Sequence, residues 1–108
     1  MECLFCKIAH HQQEVDLVYE NEEFIVINDI HPQAPIHLLI IPKKHIDSIN
    51  HLEEADKEMI SKMIFLAKDL ASQKEVAEKG YRLSFNVGRG GGQIIDHLHL
   101  HLMGGWNE

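Results

Sequence analysis

The sequence predicts an α+β domain: an antiparallel sheet of about five strands with one long helix and a short N-terminal helix. Three observations carry this. Strand-like apolar runs lie toward both ends of the chain, and residues 53–74 between them form the single long stretch of helical periodicity. The connections are short, which suits antiparallel neighbours rather than parallel crossovers. The last run, His97-Leu98-His99-Leu100-His101-Leu102-Met103, alternates with the two-residue period of a strand.

Taken in order, residues 3–11 read as a short helix, and Val15–Glu20 and Phe24–Asn28 as two strands. Glu20-Asn21-Glu22 supplies the turn of a hairpin between them. Asp29-Ile30-His31-Pro32-Gln33-Ala34-Pro35 carries two prolines and reads as a loop. His37–Ile41 is a continuous apolar strand stopped by Pro42. Glu53, Glu54 and Asp56 favour the start of the long helix through the macrodipole. A rotation of about 100° per residue puts Ile60, Met63, Ile64, Ala67, Leu70 and Ala71 on one face. Met59 and Leu66 widen that stripe to roughly 160°. Phe65 stands alone among polar neighbours. A core face accounts for most of the stripe, and its excess width with Phe65 suits a second subunit. Gly80 marks a turn, Tyr81–Val87 a strand, Gly88–Gly92 a loop and Ile94–Met103 the last strand.

A chain of 108 residues fits one domain over positions 1–108, with neither repeat nor linker. Lys and Arg number 10 against 17 Asp and Glu, a net charge of −7. That balance argues against duplex nucleic acid or an anionic membrane as the main partner, but admits a small phosphorylated ligand bound by local donors. The acidic start, Met1-Glu2-Cys3-Leu4, is not a signal peptide, and no apolar run approaches the ~18 residues of a membrane span. The cytoplasm is the expected compartment, where two cysteines serve more often as ligands or thiols than as a disulfide.

Alternation projects His97, His99 and His101 from one face and their leucine neighbours from the other. The leucines face the core, and the imidazoles are expected to face a site or water. Three readings compete: an exposed strand with incidental histidines, a catalytic metal held by all three, and nucleophilic catalysis on phosphorus. The Gly88–Gly92 loop favours the third, because it runs into the histidines and its backbone N–H groups can cradle a phosphate. A neutral imidazole offers a lone pair near pH 7 without a base to activate it, provided a partner holds its other N–H.

The sequence resembles the histidine triad family and, within it, the purine nucleoside phosphoramidase branch. The resemblance runs from Cys3-Leu4-Phe5-Cys6-Lys7-Ile8 through Asp29–His37 and Ile41-Pro42-Lys43-Lys44-His45. It ends with Gly91-Gly92-Gln93 and His97–His101. It implies the fold of that family and a nucleotide hydrolase or transferase that works through a nucleotidyl-histidine. His99 would be the nucleophile, His101 the phosphate partner and His37 the upstream histidine completing the site. Asp29 would hold the ribose hydroxyls, and Ile30, Phe5, Ile8 and Ile27 would wall the purine. Asn86, Gly92 and Gln93 match positions near phosphate and ribose. Members of this branch are homodimers whose sheets join into one. Two departures bear on the leaving group. Ile94 stands where close relatives have a hydroxyl residue, and the tail after Gly104-Gly105-Trp106 is short.

Cys3 and Cys6 have the spacing of zinc ligands, though two ligands do not make a site and a pair of free thiols is the alternative. A redox pair is disfavoured because no strand precedes the motif. The resemblance supplies the remaining ligands, His45 and His97, and thereby a structural rather than catalytic zinc; no organic cofactor is expected. Three functions follow: hydrolysis of nucleoside phosphoramidates, hydrolysis of dinucleoside polyphosphates, or a purine-nucleotide-binding module with weak turnover. The short chain favours the first.

Overall fold

The computed structural model describes residues 3–106. The acidic start read from Met1 and Glu2 lies outside them. Five antiparallel strands form one sheet in the order β1-β2-β3-β5-β4. They are β1 (Leu17–Glu20), β2 (Phe24–Asn28), β3 (Ile36–Pro42), β4 (Tyr81–Ser84) and β5 (Leu100–Gly104). Helix α1 spans Leu4–Ala9 and helix α2 spans Lys57–Gln73.

The β1–β2 hairpin closes as expected. Asn21 Oδ1 accepts from the N–H groups of Glu23 and Phe24, so one side chain satisfies the turn. β2 and β3 read as unbroken apolar runs because helices cover both of their faces. Phe24, Val26, Leu38 and Ile40 pack toward α2, while Ile25, Ile27, Leu39 and Ile41 pack toward α1. The sequence suggested a helix on one face only; α1 closes part of the other with Phe5, Ile8 and Ala9. Each large side chain so buried contributes about 1.5–3 kcal/mol.

Several boundaries shift for physical reasons. The expected helix over 53–74 opens as a 3₁₀ turn, Glu54–Asp56, before α2 begins at Lys57. The buried Asp56 carboxylate accepts from the Glu53 N–H and from Lys44 Nζ, which fixes that turn. The buried stripe of α2 is Met59, Met63, Ala67, Leu70 and Ala71, whereas Ile64 and Phe65 are exposed. Ile64 was expected on the core face, and the stripe centres closer to Met59. β4 stops at Ser84 rather than Val87 because its partner β5 begins only at Leu100: Ser84 pairs with His101 and Tyr81 with Gly104. The expected last strand from Ile94 is irregular until Leu100. There the His97 N–H donates to the Ile95 carbonyl in a tight turn, and the Leu98 N–H donates to the Ile46 carbonyl. The two-residue alternation survives this irregularity, since Leu98, Leu100 and Leu102 all enter the α2-side core. No helix among the described residues is long and apolar enough to cross a membrane.

Candidate functional site

A cavity of about 750 Å³ opens over the α1 side of the sheet. It runs across strands β2, β3, β5 and β4, in that spatial order. Phe5 and Ile8 of α1 and Ile27 of β2 form an apolar wall at one end, with Asp29 and the exposed Ile30 beside them. His99 and His101 lie in the middle, joined by the buried His37. Arg82 and Ser84 of β4 stand at the other end.

Hydrogen bonds fix which nitrogen of each ring carries a proton. The Gln33 N–H donates to His37 Nδ1 at 3.0 Å, so the His37 proton sits on Nε2. That Nε2–H donates to His101 Nδ1 at 3.0 Å, which places the His101 proton on its own Nε2. His99 Nδ1–H donates to the His97 carbonyl at 2.8 Å, leaving His99 Nε2 as a bare lone pair. The Phe5 and His99 rings pack in a T-shape, with centroids 5.0 Å apart and planes 84° to one another, which holds the plane of the imidazole. Burial pushes the His99 imidazole below its ordinary pKa. Burial, then the neighbouring rings of His99 and His37, lowers His101 to about 4. At neutral pH the site therefore presents one uncharged nucleophilic nitrogen beside one uncharged N–H donor. That pair suits attack on phosphorus with a donor for the phosphoryl oxygens.

Asp29 is held by the His31 N–H on Oδ1, and its Oδ2 lies 3.4 Å from His37 Nε2. Asn86 and Gly92 line the cavity, with Asn86 Nδ2 donating to the Gly91 carbonyl. Gln93 departs from the expectation of a substrate contact. It is buried, its Oε1 accepts from the Gly88 N–H, and its Nε2 donates to the Asp47 and Ile95 carbonyls. It braces the loop from behind. The loop also departs from the expected phosphate cradle. The N–H groups of Gly91 and Gln93 donate to the Gly88 carbonyl, and that of Gly92 to the Arg89 carbonyl. Gly88 and Gly92 serve this compact turn with φ of 72° and 89°.

His97 departs from the open histidine face that alternation implied and lies in the cysteine cluster that the resemblance implied. It is fully buried and faces neither cavity nor water. Its Nδ1 lies 3.3 Å from Cys3 Sγ and 3.6 Å from Cys6 Sγ, and His45 Nδ1 lies 3.2 Å from Cys6 Sγ. The Cys3, Cys6, His45 and His97 donors all fall within 4.8 Å of one another and form a cluster that can hold a metal ion. A tetrahedron with zinc-like bond lengths has an S···N edge of about 3.5 Å, close to these separations. The outer nitrogens agree. His97 Nε2–H donates to the Pro42 carbonyl at 2.7 Å, and His45 Nε2–H to Asp47 Oδ1 at 2.6 Å, so both Nδ1 atoms keep a lone pair that a metal could use. Burial and the adjacent Cys3 raise the Cys6 thiol to about 11, a barrier to ionisation that a divalent cation reverses.

Asp29, His37 and His101 form a second group within the same distance limit. It lacks the right protonation. His37 Nδ1 is occupied as an acceptor, so its Nε2 must keep its proton and cannot ligate. The sequence did not disclose Gln33 as the group that sets this tautomer, because it acts through its backbone. Arg82 and Ser84 were also missed. Only the pairing of Arg82 with Met103 and Ser84 with His101 brings them to the histidine face.

The depressed His101 has a stability consequence. The unfolded chain protonates this imidazole near 6.5 and the folded chain only near 4. Between those values the unfolded state binds more protons, so stability falls as pH drops from about 6.5 to about 4. The loss from this group is on the order of 2 kcal/mol, after discounting for partial exposure. Urea midpoints at pH 7 and pH 5 should therefore converge in a His101→Gln variant relative to the unaltered protein. Equal acid sensitivity in both would remove His101 as the source.

The family model described as "Scavenger mRNA decapping enzyme C-term binding" matches residues 2–106. The chain is 40% identical over 104 residues to the purine nucleoside phosphoramidase of Escherichia coli (strain K12), covering 96% of this chain and 87% of that protein. A HIT family hydrolase from Legionella pneumophila Philadelphia 1 superposes with a TM-score of 0.96 at 49% identity, covering 98% and 95% of the two chains. A zinc-bound histidine triad family protein from Mycobacterium smegmatis superposes at 0.86 with 29% identity, covering 99% of this chain and 77% of that one. With its fold and these likenesses in agreement, the chain belongs to the histidine triad (HIT) family.

Proposed function

We propose that the protein hydrolyses purine nucleoside phosphoramidates through a nucleotidyl-histidine on His99. The observation that carries this is the His99 Nδ1–H bond to the His97 carbonyl, which leaves Nε2 bare beside the His101 N–H donor. In the proposed reaction the Nε2 lone pair forms a bond to phosphorus as the P–N bond breaks. The departing amine keeps that electron pair and takes a proton from water at the open cavity. A second water then attacks phosphorus and passes its proton to the hydroxide left by the first, the P–Nε2 bond returns its pair to His99, and the nucleoside monophosphate leaves. His101 Nε2–H stabilises charge on the phosphoryl oxygens in both steps, and His37 holds His101 in the donor tautomer. Phe5, Ile8, Ile27 and Ile30 would wall the purine, and the two oxygens of Asp29 suit a ribose diol. Ile94 is 83% exposed on the cavity wall and offers no proton to a leaving group.

Side-by-side turnover of an adenosine phosphoramidate and a diadenosine polyphosphate tests the reading. The phosphoramidate should be cleaved faster. A faster polyphosphate would reverse the assignment, and nucleotide binding without turnover of either would make the chain a binding module.

We further propose that Cys3, Cys6, His45 and His97 hold a structural zinc that ties α1 to the end of β3 and to the segment before β5. The closed Cys₂His₂ set has no open position, which supports a structural over a catalytic ion. The protein should also be a homodimer, for Ile64 and Phe65 leave 38% and 63% of their surface exposed side by side on α2. Sedimentation should give twice the 12.4 kDa chain mass. A monomer at micromolar concentration would exclude it.

A further inference from the structure

Charge along the cavity is unevenly placed. Its wall contains two carboxylates, Glu14 and Asp29, and one arginine or lysine, Arg82. The histidine donor His101 is uncharged at neutral pH, as argued above, and the whole chain carries −7. Arg82 is therefore the one side chain of the wall, among the described residues, with a permanent positive charge. No carboxylate among those residues pairs with it. Its guanidinium instead lies 5.4 Å from the Trp106 ring centroid, a contact that steadies the group and leaves its N–H donors free of an anion.

Its position in the sheet is specific. Arg82 pairs with Met103, which also pairs with His37, while Ser84 pairs with His101. Arg82 is thus diagonal to His101 on the same face, at a Cα distance of roughly 7–8 Å. The apolar nucleoside wall begins on β2, at the opposite end of the β2-β3-β5-β4 order. Three strand spacings, about 14 Å, separate the two ends, with His99 and His101 between them. A nucleotide seated with its base at the β2 end and its phosphorus at the histidines directs its leaving group toward β4.

We propose that Arg82, with Ser84 beside it, is a leaving-group subsite that selects amines carrying their own oxyanion, a carboxylate or a phosphate. This rests on the phosphoramidase reading above. A guanidinium binds either oxyanion through two parallel N–H bonds, and Ser84 can add a hydroxyl donor. A leaving group without an anion gains nothing there, while one with an anion is otherwise repelled by the acidic chain, so a preference for anions has to come from Arg82.

The test uses three substrates with one nucleoside: AMP joined through nitrogen to β-alanine, to phosphoethanolamine, and to β-alanine amide. The unaltered protein should favour at least one anionic substrate over the amide by roughly 10-fold in kcat/KM. The larger preference names the oxyanion. Arg82→Gln should erase that preference by slowing the anionic substrates alone, and Arg82→Lys should restore part of it. The preference should also shrink as salt rises. Turnover of all three at similar rates by the unaltered protein overturns the subsite and leaves the phosphoramidase reading standing. An equal loss on all three in Arg82→Gln, with an unchanged melting temperature, also overturns it, since Arg82 would then serve the scissile phosphate. Absence of turnover of any of the three overturns both.

Discussion

His99→Ala is expected to lower turnover by at least ~10³-fold while nucleotide affinity changes only a few-fold. The size follows from the role. A nucleophile that forms the covalent bond cannot be replaced by positioning alone, whereas the proposed purine wall of Phe5, Ile8 and Ile27 lies on other elements and survives the change. The His101 N–H donor also survives, because its proton position is set by His37 rather than by His99. The variant should therefore bind AMP and fail to react. Intact-mass measurement without acid should show one nucleotidyl group on the unaltered protein during turnover and none on the variant. His101→Asn should lose less, on the order of 10²–10³-fold, since it removes one donor rather than the bond-forming atom. Retention of the adduct in His99→Ala would transfer the nucleophile to another residue.

Much of this site was legible in the sequence, and the part that was not has a common cause. Alternation correctly put Leu98, Leu100 and Leu102 in the core and their histidine neighbours on the opposite side. It said nothing of where along the chain the strand begins. By alternation alone His97 therefore reads as a third member of an open face, and only the resemblance placed it with Cys3, Cys6 and His45, where the turn at Ile95 buries it. The Gly88–Gly92 loop reads as a phosphate cradle because its composition suits one, and Gln93 reads as a neighbour of phosphate and ribose only through the resemblance. Their hydrogen bonds close the loop on itself instead, and only coordinates reveal where an N–H group points. The wide stripe of α2 was visible, but its centre was set by the packing of Met59 and Met63, which no rotation angle fixes to within one residue. Arg82 required the pairing of β4 with β5, a long-range fact that local patterns do not contain.

The second large effect is expected at the Cys3, Cys6, His45 and His97 cluster, and it separates a metal from a packed pair of thiols. Protein prepared without chelator should contain about one zinc per chain. A strong chelator should lower the unaltered protein's stability by roughly 3–5 kcal/mol, since binding to the folded state alone stabilises it by mass action. For a chain of this size that is on the order of 15 °C or more in melting temperature. Cys3→Ala alone cannot decide the question, because the buried Cys3 also packs against the core and its Sγ accepts from the Cys6 N–H at the start of α1. The decisive comparison is chelator sensitivity: large in the unaltered protein and lost in Cys3→Ala. If the cluster were only two thiols and two imidazoles, the chelator would change neither. The catalytic consequence is directional. His97 contributes its imidazole to the cluster and its carbonyl to His99 Nδ1–H. Loosening the His97 ring should blur the orientation of the nucleophile without touching the purine wall. Zinc removal is therefore expected to lower kcat several-fold more than it raises KM, with some activity remaining. A rise in KM at unchanged kcat would place the effect in the N-terminal helix and its Phe5 and Ile8 contacts instead.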